Sequence, residues 1–425
     1  MRGLTMMTIA FVLLPLAAFA AGEVNQRMVN AVKSGKAVTA KASWWGFDPE
    51  DSTAALQAAI DSGAKKVVVD NLGKPWIVRP ITLASDQEIV FEPGVEVLAK
   101  KGEFKGKGDC LFSSAGGKNI TLTGRGATLR MRRADYAGPG YDKAEWRTVL
   151  SLRGCSNVKV LGLTLAESGG DGIYLGTATK GVTNSNVTIK DVVCDGNYRQ
   201  GISVITAENL LIENTVMRNT GGTAPQSGID FEPNDPTERL ANIVLRNCKT
   251  EHNRGFGYQF HLTLLDASSA PVSVRIEKCV SVGDSAGSAS VCTANAPKQA
   301  VTGKIEFVNC SFKDSPTAGA MVIDVPSTGC KVCFADCSLL PAEKTAVAPI
   351  FIQSNAHATE PVGGVEFANC TVWDWPNRNP LVYVNHGKVP MRGVSGTLIL
   401  ESNGTQRTIE LTPKLLDEWT TARGQ

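Results

Sequence analysis

The chain has 425 residues, 43% of them hydrophobic and 20% charged, with 43 Lys+Arg against 41 Asp+Glu and a formal net charge of +2. This is an ordinary soluble composition, long enough to bury a large core. Near-balanced charge argues against nucleic acid or an anionic membrane as the main partner, because both select a basic excess, and no Lys- or Arg-rich run supplies one locally.

Residues 1–20 carry Arg2, an apolar run from Ile9 to Leu16 and a small-residue Ala18-Phe-Ala20 pattern. They read as a secretory signal peptide, which makes the mature protein secreted or periplasmic. The run is too short to span a bilayer and no second one follows, so no membrane anchor is expected. Residues 21–43 are polar with no clear period and read as an N-terminal arm or first cap. Then Asp51 or Ser52 offers an N-cap, Leu56, Ala59 and Ile60 share a helical face, and Gly63 can close the end, which predicts one short amphipathic helix.

From Lys66-Val-Val-Val-Asp70 onward the chain is a series of short β-branched runs broken by Gly, Pro and Asn. Strand-like cores follow Gly172, Gly201, Gly228, Gly257, Ala289, Ala320, Pro349 and Pro380, at steps of 29, 27, 29, 32, 31, 29 and 31 residues, and a second strand lies between each pair. A period of this size means stacked supersecondary units. With no room for a crossover helix, the units must wind as a parallel β-solenoid whose neighbours cover its open faces. Residues 44–402 are therefore predicted as one domain. Residues 403–425 form a C-terminal cap, in which Thr412-Pro-Lys-Leu-Leu-Asp-Glu-Trp-Thr-Thr-Ala-Arg423 resembles a short helix covering the sheet end.

The chain contains eleven cysteines. Cys248, Cys279, Cys310, Cys337 and Cys370 recur in near-identical settings, such as Arg-Asn-Cys and Val-Asn-Cys, which predicts a ladder of buried thiols. Cys330 and Cys333 form a lone Cys-x-x-Cys with no second pair or nearby histidine, so no metal site is assigned to them.

The entry Asp51-Ser-Thr-Ala-Ala-Leu-Gln-Ala-Ala-Ile-Asp61, the Val67-Val-Val strand and the coils with Asn-x-Thr-Ile or Asn-Cys corners resemble the pectin-lyase-like superfamily of right-handed parallel β-helices. That superfamily includes polygalacturonase-type glycoside hydrolases, polysaccharide lyases and uronan epimerases. The resemblance spans about residues 44 to 400 in pattern and implies an all-β, single-stranded right-handed β-helix with a carbohydrate-active role. The polygalacturonase-like Asn-Thr-Asp, adjacent Asp-Asp, Gly-His-Gly and Arg-Ile-Lys are absent, as is the epimerase-like Asp-Pro-His-Glu, so no residue role carries over.

The candidate site comes from the residues themselves. In Gln226-Ser-Gly-Ile-Asp-Phe-Glu-Pro-Asn234, strand alternation puts Asp230 and Glu232 on one face, about 6.5 Å apart along the strand. That spacing suits a pair of catalytic carboxyls in a sugar hydrolase without choosing between retention (about 5 Å) and inversion (about 6.5–9.5 Å). Aligning the coils by their glycines puts Tyr174, Ser203 and Gln259 in the column of Asp230, and His261 and Asp324 in that of Glu232. Asp171 and Arg199-Gln200 stand just before these strands, and Val322, Phe351 and Val382 end the polar column. Tyr136, Tyr141, Trp146, Tyr198 and Tyr258 are candidate sugar-stacking rings. Arg130, Arg132, Arg133 and Lys143 mark a protruding loop beside the groove.

Three functions compete. In a glycoside hydrolase acting on a poly- or oligosaccharide, Asp230 and Glu232 are the acid/base pair and Asp171 a third carboxylate. Arg199, Gln200, Tyr174, Gln259, His261 and Tyr198 then bind substrate, and neither cofactor nor metal is needed. A polysaccharide lyase or uronan epimerase would use Arg199 with Tyr174 or His261, or calcium held by Asp171, Asp230 and Glu232. A non-catalytic glycan-binding solenoid is the third.

Overall fold

The computed structural model describes residues 22–296, 300–340, 348–373 and 378–421. The expected signal peptide lies outside them. Short strands follow one another through the chain and pair in parallel with the equivalent strand of the next coil. Eleven strands, from Ile81–Thr82 to Leu381–Asn385, stack as one sheet. Two further parallel series form the other faces of the coil, for example Ala207–Glu213 on Leu240–Arg246 and Val216–Arg218 on Lys249–Glu251. The third strand of each coil is only about three residues long, too short for alternation to announce it.

What bends the chain between strands is a run of left-handed corners. Asn119, Asn157, Asn186, Asn209 and Asn242 all adopt φ of 51–57°, a region Asn tolerates better than other residues with a Cβ. Their side chains join in a ladder, each amide Nδ2 donating to the Oδ1 one coil earlier at 2.7–3.0 Å. A second set of corners, Asn247, Lys278, Asn309, Asp336 and Asn369, precedes the five repeated cysteines. These thiols are buried and free. Cys310, Cys337 and Cys370 donate to the carbonyls of Ile276, Phe307 and Phe334 in the coil before, at 3.3–3.4 Å. The core between the sheets is aliphatic with stacked rings, Phe231 on Phe260 at 4.4 Å and Phe307 on Phe334 at 4.7 Å between centroids.

Helices close the ends. The stretch read as an arm contains α1 (Gln26–Lys33), capped by Asn25 and burying only Val29 and Val32. Two apolar residues three apart are too little for a period to show. The expected helix is α2 (Thr53–Ile60), which buries Leu56, Ala59 and Ile60. Its Ser52 hydroxyl turns back to the carbonyl of Asp48, while Asp51 accepts the amide of Thr53. A single turn, α3 (Arg133–Tyr136), sits in the loop beside the site. At the far end a strand, Thr405–Glu410, folds back antiparallel on Met391–Ser402, and α4 (Pro413–Thr421) buries Leu416.

Candidate active site

Six strands of the eleven-stranded sheet carry the site: β1 (Leu150–Arg153), β2 (Ile173–Gly176), β3 (Ile202–Val204), β4 (Ile229–Phe231), β5 (Phe256–Leu262) and β6 (Gly287–Thr293). Glycine begins four successive coils for a steric reason. A Cβ on Gly172, Gly201 or Gly228 would stand 2.4–2.8 Å from the carbonyl oxygen of the next glycine in the stack. This tight corner lines up Asp171, Gln200 and Ser227 immediately before it. Just beyond it, the outward column runs Ser151, Tyr174, Ser203, Asp230, Gln259, Ser290.

The two columns are cross-linked. Gln200 Nε2 donates to Asp230 Oδ2 at 2.8 Å, and Gln200 Oε1 accepts the amide of Ser227 at 2.9 Å. The Ser227 hydroxyl donates to Gln259 Oε1 at 2.5 Å. Arg199 Nη2 meets Glu232 Oε2 at 2.7 Å, and its Nε lies 3.8 Å from Glu145. Among the described residues, Asp171 Oδ1, Arg199 Nε, Ser203 Oγ and Asp230 Oδ1 are all buried without a hydrogen-bond partner. Native structures rarely leave such atoms orphaned, and four from three successive coils converge here.

Electrostatics divides the carboxyls. Burial pushes Asp171 up to about 7, against the pull of Arg199. Burial, and then the neighbouring Glu232, hold Asp230 well above the usual carboxylate range. Burial works against the charge on Arg199, yet Asp171 and Glu232 outweigh it and raise the guanidinium above its ordinary value. Burial thus favours the neutral form of both acids beside an Arg–Glu ion pair.

Several expectations change. Asp230 and Glu232 leave the same strand, but Asp230 is fully buried while the Glu232 side chain is 22% exposed, because β4 ends at Phe231. The two therefore work at different depths. Asp324 leaves the column of Glu232: the observed register continues through His261, Cys292 and Ile323, one residue off the alignment from Ala289 and Ala320. Asp324 is instead buried against the amide of Asn355. For the same reason Met321, not Val322, ends the polar column with Phe351 and Val382. His261 is engaged by the Thr263 hydroxyl at 2.9 Å. Tyr258 takes the inward position of Ile229 and bonds the carbonyls of Cys248 and Val280 inside the core, so it offers no stacking face. Tyr136 is buried, and Tyr141 is tied to the carbonyl of Glu103. Arg130 pairs with Glu96 and Glu167, while Arg132 and Arg133 bond the carbonyls of Ala99 and Gly196. Trp146 and Tyr198 remain beside the site.

Sequence reasoning missed Glu145, Arg153 and Ser227. The guanidinium of Arg153 lies 4.8 Å over the ring of Tyr174. Its place two residues after Ser151 on β1 was the available signal. Wider hollows of about 480 and 490 Å³ lie elsewhere on the coil, one along the Asn ladder and one around Lys304 and Cys333, and neither holds an expected site residue.

Residues 147–332 match the family model described as a right handed beta helix region. The fold is a right-handed parallel β-helix. Over 180 residues the β-helix chain is 27% identical to an uncharacterized protein, YclG, of Bacillus subtilis (strain 168), covering 39% of this chain and 30% of that relative. Among solved structures, the A-module of the mannuronan C-5 epimerase AlgE4 from Azotobacter vinelandii superposes with a TM-score of 0.58 at 15% identity, over 85% of this chain and 94% of that one. PfbA, a surface adhesin of Streptococcus pneumoniae, superposes with 0.59 at 12% identity, over 88% and 96%. At these identities the likeness is one of fold, and the fold serves both an enzyme and an adhesin.

Proposed function

We propose that this β-helix chain is an exported glycoside hydrolase acting on a poly- or oligosaccharide laid across β2–β5. The observation that carries this reading is the convergence of Asp171, Asp230 and Glu232 on Arg199, with four buried polar atoms left unsatisfied. In this mechanism Asp171 holds a proton near neutrality and delivers it to the leaving oxygen. Glu232, at the surface and oriented by Arg199, serves the anomeric carbon as base or nucleophile. Asp230 lies deeper than Glu232, and through Gln200 it sets the position of the corner. Tyr174 and Gln259 meet sugar hydroxyls, and no metal or cofactor takes part.

A second reading, proton abstraction beside a uronate carboxylate, draws on Arg153 over Tyr174, where a cation faces a candidate base. Burial raises the Tyr174 hydroxyl above its ordinary value, which works against a tyrosinate. The calcium variant of that reading meets Arg199, a cation already placed among the same carboxyls.

A panel of plant, algal and bacterial glycans, incubated with the mature chain, tests the choice. New reducing ends without unsaturated products, lost in Asp171→Asn and Glu232→Gln, support hydrolysis. Unsaturated or epimerised uronates move the assignment to the second reading. Binding with no product of either kind leaves a glycan-binding solenoid.

A further inference from the structure

Beside the carboxyls lies a smaller cleft of about 220 Å³, lined by Lys143, Ala144, Glu145, Trp146, Tyr198 and Thr223. We propose that this cleft is a built subsite for a second sugar ring, so that the ligand is an extended oligosaccharide crossing from Glu232 over Arg199 onto Trp146 and Tyr198. The inference rests on the carbohydrate reading above, though not on hydrolysis. Its volume lies below the roughly 300–1,000 Å³ of pockets that take a drug-sized ligand, which suits one ring rather than several.

The walls are held in place by the glycine pair that precedes Asp171. Gly170 accepts the amides of both Tyr198 and Arg199 on its carbonyl, at 3.0 and 2.9 Å. On its other side a Cβ would come within 2.6 Å of the Glu145 carbonyl and 3.0 Å of the Arg147 amide. One residue thus fixes the distance between the Glu145–Trp146 wall and the Tyr198–Arg199 wall. Arg147, fully buried, pins the first wall through the carbonyls of Phe104, Lys105 and Asp142. The Tyr198 ring rests on Gly222, where a Cβ would stand 2.1 Å from Cδ2.

A rigid frame then presents an apolar indole that is 50% exposed. Ring faces offer a sugar's C–H face apolar area at little entropic cost, and here the exposed indole stands in one cleft with Tyr198, Glu145 and Lys143. Glu145 and Lys143 supply an acceptor and a donor for hydroxyls at the rim. Arg199 touches both Glu145 and Glu232, so it belongs to this cleft and to the carboxyl cluster alike.

The test reads binding alone, on the full mature chain carrying Glu232→Gln so that turnover does not interfere. The probes are hexasaccharides of mannuronate, galacturonate, glucose and xylose, each beside its own monosaccharide, followed by calorimetry and tryptophan emission. At least one hexasaccharide is expected to bind, to shift the emission, and to weaken about ten-fold or more when Trp146→Ala or Gly222→Ala is added. Gly222→Ala keeps every side chain and only displaces the Tyr198 ring, which separates loss of the subsite from loss of the fold; Leu211→Ala, on another face, controls for general damage. Binding untouched by both cleft substitutions, binding as tight by the monosaccharide, or no binding by any hexasaccharide overturns the proposal. The hydrolase reading is judged separately by product formation in the unsubstituted chain.

Discussion

Asp171 is the residue on which charge and the proposed function meet. Its folded value of about 7 stands above the ordinary 3.8 because burial disfavours the carboxylate. The folded chain therefore holds this proton more tightly than the unfolded chain. The stability it lends is complete below the unfolded value and is lost as pH rises through about 7. Asp171→Asn carries no such penalty, so its melting temperature relative to the parent is expected to rise between about pH 5 and pH 8, the difference amounting to a few kcal/mol. Thermal scans at the two pH values check it; an unchanged difference would show that the carboxyl is not held protonated. Activity is expected to fall about 10²–10⁴-fold in the same variant, and the decline of the parent's activity as pH passes about 7 should vanish with it. Arg199→Ala breaks a pair that is mostly buried, the side chains being 12% and 22% exposed. A loss of about 2 kcal/mol is expected from chemical denaturation, less than the 3–5 kcal/mol of fully buried pairs. Arg199→Lys should recover stability but not activity, because one ammonium cannot face Glu145 and Glu232 through separate nitrogens.

Two devices set the elements: the glycine corner and the asparagine ladder. Gly170→Ala would drive a Cβ against backbone on the Glu145–Arg147 side, where no flexible side chain can give way. The expected result is a loss of about 1–3 kcal/mol with reduced activity, although the residue touches no substrate. Asn186 lies mid-ladder, with φ of 55° and amide bonds to both neighbouring coils. Asn186→Ala loses the bonds and strains the backbone, whereas Asn186→Gly loses the bonds alone. Melting curves of the two should differ by about 0.5–1 kcal/mol in favour of glycine; equal losses would mean that the left-handed conformation costs nothing here. These devices were visible in the sequence as repeated Gly and Asn-x-Thr-Ile, but only as spacing. The short third strand and the exact meeting of the coils were not visible, because three residues are too few to carry a period.

At the scale of the whole molecule, eleven free thiols are distributed between residues 110 and 370, nearly all of them buried. The native chain is expected to react with an aromatic disulfide reagent mainly at Cys333 and Cys292, the two that are less buried, and at all eleven positions in denaturant. Fewer than eleven equivalents from the denatured, unreduced protein would reveal disulfides and refute the ladder of free thiols. The sequence by itself determined the solenoid, its period, the capping helix α2, the buried thiols and the coils that carry the candidate site, because each follows from local alternation repeated at a fixed interval. It placed Asp171, Arg199, Gln200, Tyr174, Asp230, Glu232 and Gln259 on adjoining coils for the same reason. Register, depth and pairing were decided only by the tertiary structure. A one-residue offset after Gly257 removed Asp324 from the column, an inward turn consumed Tyr258, and the end of β4 at Phe231 separated Asp230 from Glu232. Burial, which sets the protonation of the carboxyls, depends on atoms brought from coils about thirty residues apart, and no local pattern records that sum.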